Sequence, residues 1–201
     1  MNKDILICGV GGQGTVLASK IIAASASAEG SQIHSAETIG MAQRGGSVTS
    51  HVRIGENAYS PLIPYGNADL LLAFEPAEAV RNLKYLRKDG VAIVNTVATK
   101  PVTESLADTG YDGSDMTAYI AGKCSCIFVD SDNVCAPFGS SRFFNIIILG
   151  IASGSGKLGI ARDTVLKQIE KRVPKAYVDI NKKAFQTGYE IGQETVNQQI
   201  K

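Results

Sequence analysis

Several features that would point to a particular class of protein are missing from this sequence of 201 residues. Its 20 basic and 19 acidic residues leave a net charge of +1, so neither nucleic acid nor a membrane surface is expected as its main partner. Long apolar runs are also missing, since the N-terminal run ends at Gly9 and a later one, residues 143–152, is interrupted by Asn145. Both are too short for a signal peptide or a membrane span, and we therefore expect a cytoplasmic protein.

Cysteine and histidine, the usual ligands of transition metals, are scarce. The four cysteines include no C-x-x-C spacing, and the only histidines are His34 and His51. Zinc sites and iron–sulfur clusters need several such ligands at short spacings, so we predict that this chain holds no metal and no cluster. We expect the thiols to be buried or half-buried instead. Neither histidine has a recognisable catalytic partner in the sequence, and we assign no catalytic residue.

Apolar segments alternate between the periods of strands and helices. Strand patterns at residues 4–8 and 31–37 flank a helical pattern that ends at Gly30, which predicts a βαβ unit with parallel strands. Buried strands are predicted at residues 69–74 and 91–95, a half-exposed strand at 47–55, and a helix from Pro76 that ends at Gly90. Helices dominate after residue 142. The prediction is a single α/β domain over residues 1–201, with a Rossmann-like, doubly wound, mostly parallel sheet and C-terminal helices.

The turn between the first strand and the first helix, which we call the first loop (residues 9–14), is rich in glycine. Gly9, Gly11 and Gly14 fit the G-x-G-x-x-G spacing, which lets a backbone approach a phosphate group at a helix N-terminus. Glu37 stands where a dinucleotide-binding fold places the acid that holds a ribose. Gln13 and the additional Gly12 count against NAD. The residues alone leave open a dinucleotide, contact with another phosphate group, and a purely structural turn.

Several ordered motifs together resemble one known family. The segments "GVGGQGTVLASKIIAASA", "AETIGMAQRGGSVTSHVRIG" and "YSPLIPYGNADLLLAFEPAEAVR", with "RFFNIIILG" and "KKAFQTGYE" near the end, are similar to the gamma-type subunits of 2-oxoacid:ferredoxin oxidoreductases. Within this family the chain most resembles the small, beta subunits of the indolepyruvate enzymes. The resemblance spans nearly the whole chain, is strongest up to Thr96 and is weakest from Val97 to Lys123.

The resemblance implies a part in the oxidative decarboxylation of a 2-oxoacid, an aryl pyruvate such as indolepyruvate, to an acyl-coenzyme A, with electrons passed to ferredoxin. It implies that a larger partner subunit holds thiamine diphosphate and the iron–sulfur clusters, that this chain holds no cofactor, and that the two chains form a hetero-oligomer. The chain would complete an active site and contribute little covalent chemistry. A free-standing NAD(P)- or FAD-binding Rossmann protein and a non-enzymatic scaffold are the alternatives.

The segment "GMAQRGGS" matches the family's second signature, and we call it the second loop (residues 40–47). An arginine can hold a carboxylate or phosphate through two parallel hydrogen bonds, so we predict that Arg44 and Gln43 bind substrate or coenzyme A, or anchor the loop to the partner; a solvated surface arginine is the alternative. Glu75 and Asn95, which follow two buried strands, are weaker candidates. The residues expected to contact substrate, coenzyme A or the partner's cofactor are Gly9, Gly11, Gly12, Gln13, Gly14, Glu37, Gly40, Gln43, Arg44, Gly45, Gly46 and Ser47.

Overall fold

A computed structural model of the chain describes residues 1–39, 45–56, 58–100 and 110–199. Six described strands form one sheet: β1 (Lys3–Val10), β2 (Ile33–Ile39), β3 (Ser47–Ile54), β4 (Ala68–Ala73), β5 (Leu86–Asn95) and β6 (Ser125–Val129). The described α-helices are α1 (Thr15–Ala28), α2 (Pro76–Asn82), α3 (Ser114–Ala121), α4 (Ser131–Cys135), α5 (Phe144–Gly154), α6 (Arg162–Arg172) and α7 (Val178–Gln199).

The strands lie in the order β2-β3-β1-β4-β5-β6. The pairs β1–β4, β4–β5 and β5–β6 are parallel, whereas β3 is antiparallel to both β1 and β2. The first and second strands therefore run in the same direction, as the βαβ pattern predicts, but β3 lies between them. The mostly parallel sheet confirms the predicted fold class. Since the chain leaves β1 toward one side of the sheet and enters β4 on the other, the carboxyl ends of β1 and β4 flank the crevice where such sheets bind ligands.

The apolar core lies on both faces of this sheet. One face packs against α1, α5, α6 and α7 through a large cluster that includes Ile21, Ile147 and Phe185. The opposite face packs against α2 and α3 through a smaller cluster that includes Ala79 and Ile120. The central strand β4 is almost entirely buried, as expected for a strand whose apolar run has no polar alternation.

The predicted helix from Pro76 to Gly90 is wrong in its second half. Helix α2 ends at Asn82, a short 3-10 turn follows, and β5 begins at Leu86. Gly90 lies inside β5 instead of ending a helix. The first residues of β5 are mostly exposed and charged, so their sequence lacks the apolar pattern of a strand, although Leu86 at its start pairs with Ala68 of β4. Helix α4 was not predicted either.

The polar face of β3 is half-exposed, as predicted, at Ser47, Thr49 and Arg53, but not at His51. His51, placed on the polar face of the strand by the sequence pattern, is only 4% exposed. The segment between β3 and β4 folds back over this face, and the Ile63 amide donates a hydrogen bond to Nδ1 of His51 at 3.1 Å. Burial lowers the pKa of His51, and the nearby charge of Arg53 lowers it further, so the ring is neutral and can accept this bond.

Helices α5 and α7 approach each other along a row of glycines. Gly150 and Gly154 on α5 face Gly188 and Gly192 on α7, and a Cβ at any of the four would collide with backbone of the facing helix. A spacing of four residues places each glycine pair on one helix face. This contact attaches the C-terminal helix to α5.

None of the described helices is by itself long and apolar enough to cross a membrane. Ser131–Phe138 and Ser141–Gly154 meet that criterion only as a pair, and the pair is bent by 108°.

Candidate functional site

The first loop joins β1 to α1 at the carboxyl edge of the sheet. Gly12 and Gly14 have φ angles of +102° and +83°, in the left-handed region that only glycine adopts readily. Helix α1 starts at Thr15, and its first turn contains no acidic residue. The free N–H groups of that turn therefore carry a partial positive charge next to the loop.

Gln13 is tied into the loop by its own side chain. Its Oε1 accepts a hydrogen bond from the Val10 amide at 2.8 Å, and its Nε2 donates to the Phe74 carbonyl at 3.1 Å and to Oγ1 of Thr99 at 3.2 Å. A Cβ at Gly9 would lie 2.6 Å from the same Oε1. Gly9 is therefore explained by close packing, and Gln13 fastens the first loop to the end of β4.

Gly14 brings the first loop against α5. A Cβ at this position would lie 2.5 Å from Nδ2 of Asn145 and 3.2 Å from its Cβ. Asn145, the polar residue that interrupts the apolar run at residues 143–152, is 7% exposed. Its side chain thus fills the space beside the glycine, and this contact connects residues 131 positions apart in the sequence.

The second loop reaches the first loop directly. Gly40, Gln43 and Arg44 lie outside the described residues, so only the end of this loop, residues 45–47, can be placed. The Gly11 amide donates to the Gly46 carbonyl at 2.8 Å, and the Gly45 amide donates to the Gly11 carbonyl at 3.2 Å. These paired hydrogen bonds bring the two predicted loops together at the carboxyl end of β1.

Glu37 lies to the side of the first loop. It lies on β2, and its side chain accepts a hydrogen bond from Oγ of Ser19 on α1 at 3.1 Å. Since β3 lies between β1 and β2, Glu37 is two strand spacings, about 10 Å, to the side of the first loop. A dinucleotide-binding fold has its first two strands adjacent, so the predicted ribose-binding acid is displaced from the required position.

The two strand-end candidates, Glu75 and Asn95, have structural partners. Glu75 caps α2 by accepting a hydrogen bond from the Glu78 amide at 2.9 Å, and it also accepts one from the Tyr111 hydroxyl at 2.5 Å. The Asn95 amide donates to the Phe74 and Val97 carbonyls, and its carbonyl oxygen accepts from the Val97 and Ser131 amides. Both side chains are buried and hold the loops that follow β4, β5 and β6.

Sequence reasoning missed Glu78, which is 1% exposed in the first turn of α2. One carboxylate oxygen accepts a hydrogen bond from Oγ of Ser47 at 2.6 Å, and the other pairs with Arg81. The available sequence signal was a glutamate three residues after a helix cap, which usually indicates only capping. Nothing in the sequence indicated that its side chain reaches the second loop.

Two clefts open beside the joined loops. The Asn95 cleft, of about 220 Å³, is lined by residues that include Gly12, Gln13, Asn95 and Arg142. The Glu75 cleft, of about 320 Å³, is lined by residues that include Gly45, Ser47, Glu75 and Arg81. Thr99 lines both clefts, so together they border the carboxyl ends of β1, β4 and β5. This is the position expected for a ligand crevice in such a sheet.

The titratable groups near these clefts are suited to binding more than to covalent chemistry. Burial raises the pKa of Tyr111, and its hydrogen bond to Glu75 raises it further, so the hydroxyl remains a donor. Burial, followed by the charges of Glu78 and Glu75, raises the pKa of Cys8 well above its usual range, which leaves this thiol unreactive. Within residues 1–39, 45–56, 58–100 and 110–199, no three His, Cys, Asp or Glu side chains are grouped so as to hold a metal ion.

Comparison with known proteins identifies similar chains. A family model described as pyruvate ferredoxin/flavodoxin oxidoreductase matches residues 4–191. The chain is 37% identical over 191 residues to the indolepyruvate oxidoreductase subunit IorB of Archaeoglobus fulgidus, and the match covers 94% of both chains.

Two solved structures have the same fold. The gamma subunit of a keto/oxoacid ferredoxin oxidoreductase from Geobacter sulfurreducens matches with a TM-score of 0.69 and 26% identity, over 96% of this chain and 99% of that one. A 2-oxoglutarate:ferredoxin oxidoreductase from Magnetococcus marinus matches with a TM-score of 0.73 over 96% of this chain. At 17% identity this second match shows the fold alone, and it covers 31% of a much longer chain.

Proposed function

This chain belongs to the pyruvate ferredoxin/flavodoxin oxidoreductase family and is a subunit of a 2-oxoacid:ferredoxin oxidoreductase complex, and we propose that the complex converts an aryl pyruvate such as indolepyruvate to an acyl-coenzyme A. The choice of an aryl pyruvate is supported by the similarity to an indolepyruvate oxidoreductase subunit over 94% of both chains. The electrons released by the oxidation pass to ferredoxin.

The cofactors of this reaction are assigned to other parts of the complex. Iron–sulfur clusters are usually held by four cysteine thiolates. Cys8 and Cys135 are buried, and no described cysteine belongs to a group that could bind a metal, so the cysteines of this chain do not fit a cluster. Thiamine diphosphate would supply the decarboxylation chemistry from the larger partner subunit, and coenzyme A would accept the acyl group.

The observation that carries the proposed role is the pairing of the first and second loops through Gly11, Gly45 and Gly46. The paired loops form one surface at the carboxyl edge of the sheet, between the Asn95 cleft and the Glu75 cleft. The free N–H groups at the start of α1 favour an anionic group there. We infer that this surface contacts coenzyme A or the partner's cofactor, and that this chain orients a ligand and excludes water without forming a covalent bond to it.

Co-expression with the larger subunit tests the assignment. We expect the two chains to co-purify as a brown complex that reduces ferredoxin when indolepyruvate and coenzyme A are both supplied, whereas this chain alone has no activity. A chain that does not associate would contradict the proposal, and a stable but inactive complex would favour the scaffold alternative.

The role of Arg44 in the second loop is tested in the same complex by the substitution Arg44→Ala. We expect a higher KM for one substrate, or loss of assembly, because the guanidinium would no longer hold a carboxylate or phosphate group. Arg162→Ala is the control, since Arg162 lies on α6, far along the chain from both loops. Unchanged kinetics and assembly in the Arg44 variant would remove this residue from the site.

The alternative of a dinucleotide-binding Rossmann protein has less support. Gln13 is engaged inside the first loop, and Glu37 is separated from that loop by β3. We therefore expect no bound flavin and no change in the melting temperature of the isolated chain with NAD(H) or NADP(H). Saturable stabilisation by one of these nucleotides would favour the alternative.

A further inference from the structure

Glu78 makes an unusual connection between a helix and the second loop. Its carboxylate is almost completely buried. One oxygen accepts a hydrogen bond from the Ser47 hydroxyl at 2.6 Å, and the other pairs with Arg81. A buried carboxylate is costly unless such partners are present. An apolar residue could pack α2 against the sheet equally well, so packing alone does not explain a carboxylate here.

Hydrogen bonds on both sides fix the backbone of Glu78. Glu75 accepts a hydrogen bond from the Glu78 amide at 2.9 Å, and Nδ2 of Asn82 donates to the Glu78 carbonyl at 2.9 Å. Proline at the first position of α2 further fixes the start of the helix. The backbone from which the Glu78 side chain extends toward Ser47 is therefore fixed.

Ser47 in turn lies next to the contact between the two loops. It directly follows Gly45 and Gly46, whose backbone groups pair with Gly11 at 3.2 and 2.8 Å. A line of contacts thus runs from α2 through Glu78 and Ser47 to the first loop. We propose that Glu78 is a positioning residue that fixes the end of the second loop, residues 45–47, against the first loop, and, resting on the proposed function, that it thereby shapes the surface for coenzyme A or the partner's cofactor.

Hydrogen exchange in the isolated full chain tests the positioning role without depending on the enzyme's activity. The Gly11 and Gly45 amides report directly on the pairing of the loops. In Ser47→Ala we expect both amides to exchange about tenfold faster, as expected for the loss of a hydrogen bond to a charged group, whereas Ser47→Thr keeps the hydroxyl and stays within about twofold of the parent. Ser25→Ala is the control, because it removes a buried hydrogen bond from the Ser25 hydroxyl to the Ile21 carbonyl, which lies within α1 and far from the loops.

Glu78→Gln keeps an acceptor for Ser47 but removes the charge that pairs with Arg81. We therefore expect the Gly11 and Gly45 amides of this variant to exchange faster than in the parent and more slowly than in Ser47→Ala. Exchange rates of Gly11 and Gly45 in Ser47→Ala that match those in Ser25→Ala would overturn the positioning role, whatever the activity.

Kinetics of the assembled complex test the consequence. Ser47→Ala should raise the KM for coenzyme A severalfold with a smaller change in kcat, and Ser47→Thr should restore it. A KM that rises equally in Ser25→Ala would overturn this consequence, since a general loss of stability would then explain it. A parent complex that fails to oxidise any 2-oxoacid would instead refute the proposed function, and the exchange measurement would still decide the role of Glu78.

Discussion

The packing of the first loop against α5 leads to a prediction about Gly14. Gly14→Ala places a side chain at a φ of +83°, which costs about 1–2 kcal/mol for an L residue. The new Cβ would also lie 2.5 Å from Nδ2 and 3.2 Å from Cβ of Asn145. Overpacking of a filled site costs about 1–3 kcal/mol, so the total loss of unfolding free energy should be about 2–5 kcal/mol.

Gly12→Ala separates these two contributions. Its φ of +102° is equally unsuited to alanine, but no atom beyond the adjacent residues lies within 4 Å of the added Cβ. This variant should lose only the backbone contribution, about 1–2 kcal/mol. The melting temperature of a domain of this size falls by about 2–4 °C per kcal/mol, so thermal unfolding of the isolated chain can resolve the two variants.

A double-mutant cycle isolates the contact with Asn145. In a Gly14→Ala, Asn145→Ala chain the collision with Nδ2 is removed, while the unfavourable φ and the 3.2 Å approach to the Cβ of residue 145 remain. We therefore expect a coupling of about 1–3 kcal/mol that offsets part of the Gly14 penalty. The reasoning is refuted if Gly14→Ala is no more destabilising than Gly12→Ala, or if the Gly14 and Asn145 variants are simply additive. Either result would mean that the first loop does not pack on α5.

Three further predictions concern stability. Gly188→Ala should lower the free energy of unfolding by about 1–3 kcal/mol, since its Cβ would meet the Ile147 carbonyl on α5. The control Gly122→Ala, whose Cβ would make only ordinary contacts near 3.6 Å, should stay within about 0.5 kcal/mol of the parent. Urea unfolding measures both. Burial, and then the charge of Asp132, raises the pKa of Cys135 from 9.0 to about 11. As the pH rises, the thiol therefore ionises in the unfolded chain before it does in the folded one. The free energy of unfolding should fall as the pH rises from about 9 to about 11, and it should fall less steeply in Cys135→Ala. Burial lowers the pKa of His51 from 6.5, so the unfolded chain binds a proton more readily than the folded one. The free energy of unfolding should therefore fall as the pH drops below about 6.5. An equal fall in the free energy of unfolding of the His51→Gln variant would contradict this.

Local sequence patterns were sufficient for much of the fold. The apolar run of β4, the glycine-rich turn before α1 and the proline that starts α2 each depend on residues within a few positions, and the structure has all three. The ordered motifs were sufficient to indicate the family, because they are spread along most of the chain. The first loop was recognised as a candidate from its glycine spacing and the second from its match to the family, although their mutual contact was not visible.

The rest was decided by contacts between residues far apart in the sequence. Periodicity reports which side of a segment is buried, but it does not name the neighbouring strand, so the insertion of β3 between β1 and β2 could not be predicted. For the same reason the start of β5 at Leu86 was not predicted, since Leu86 pairs with Ala68 of β4 while the charged residues after it show no strand pattern.

The candidate site shows the same division. Sequence alone determined that two glycine-rich loops exist and that glycine is required where the first one turns. Only the tertiary structure decided that Gly11 pairs with Gly45 and Gly46, that Asn145 closes against Gly14, and that Glu78 reaches Ser47. The physical reason is that these hydrogen bonds and close contacts form only after the sheet has assembled and brought distant segments to its carboxyl edge.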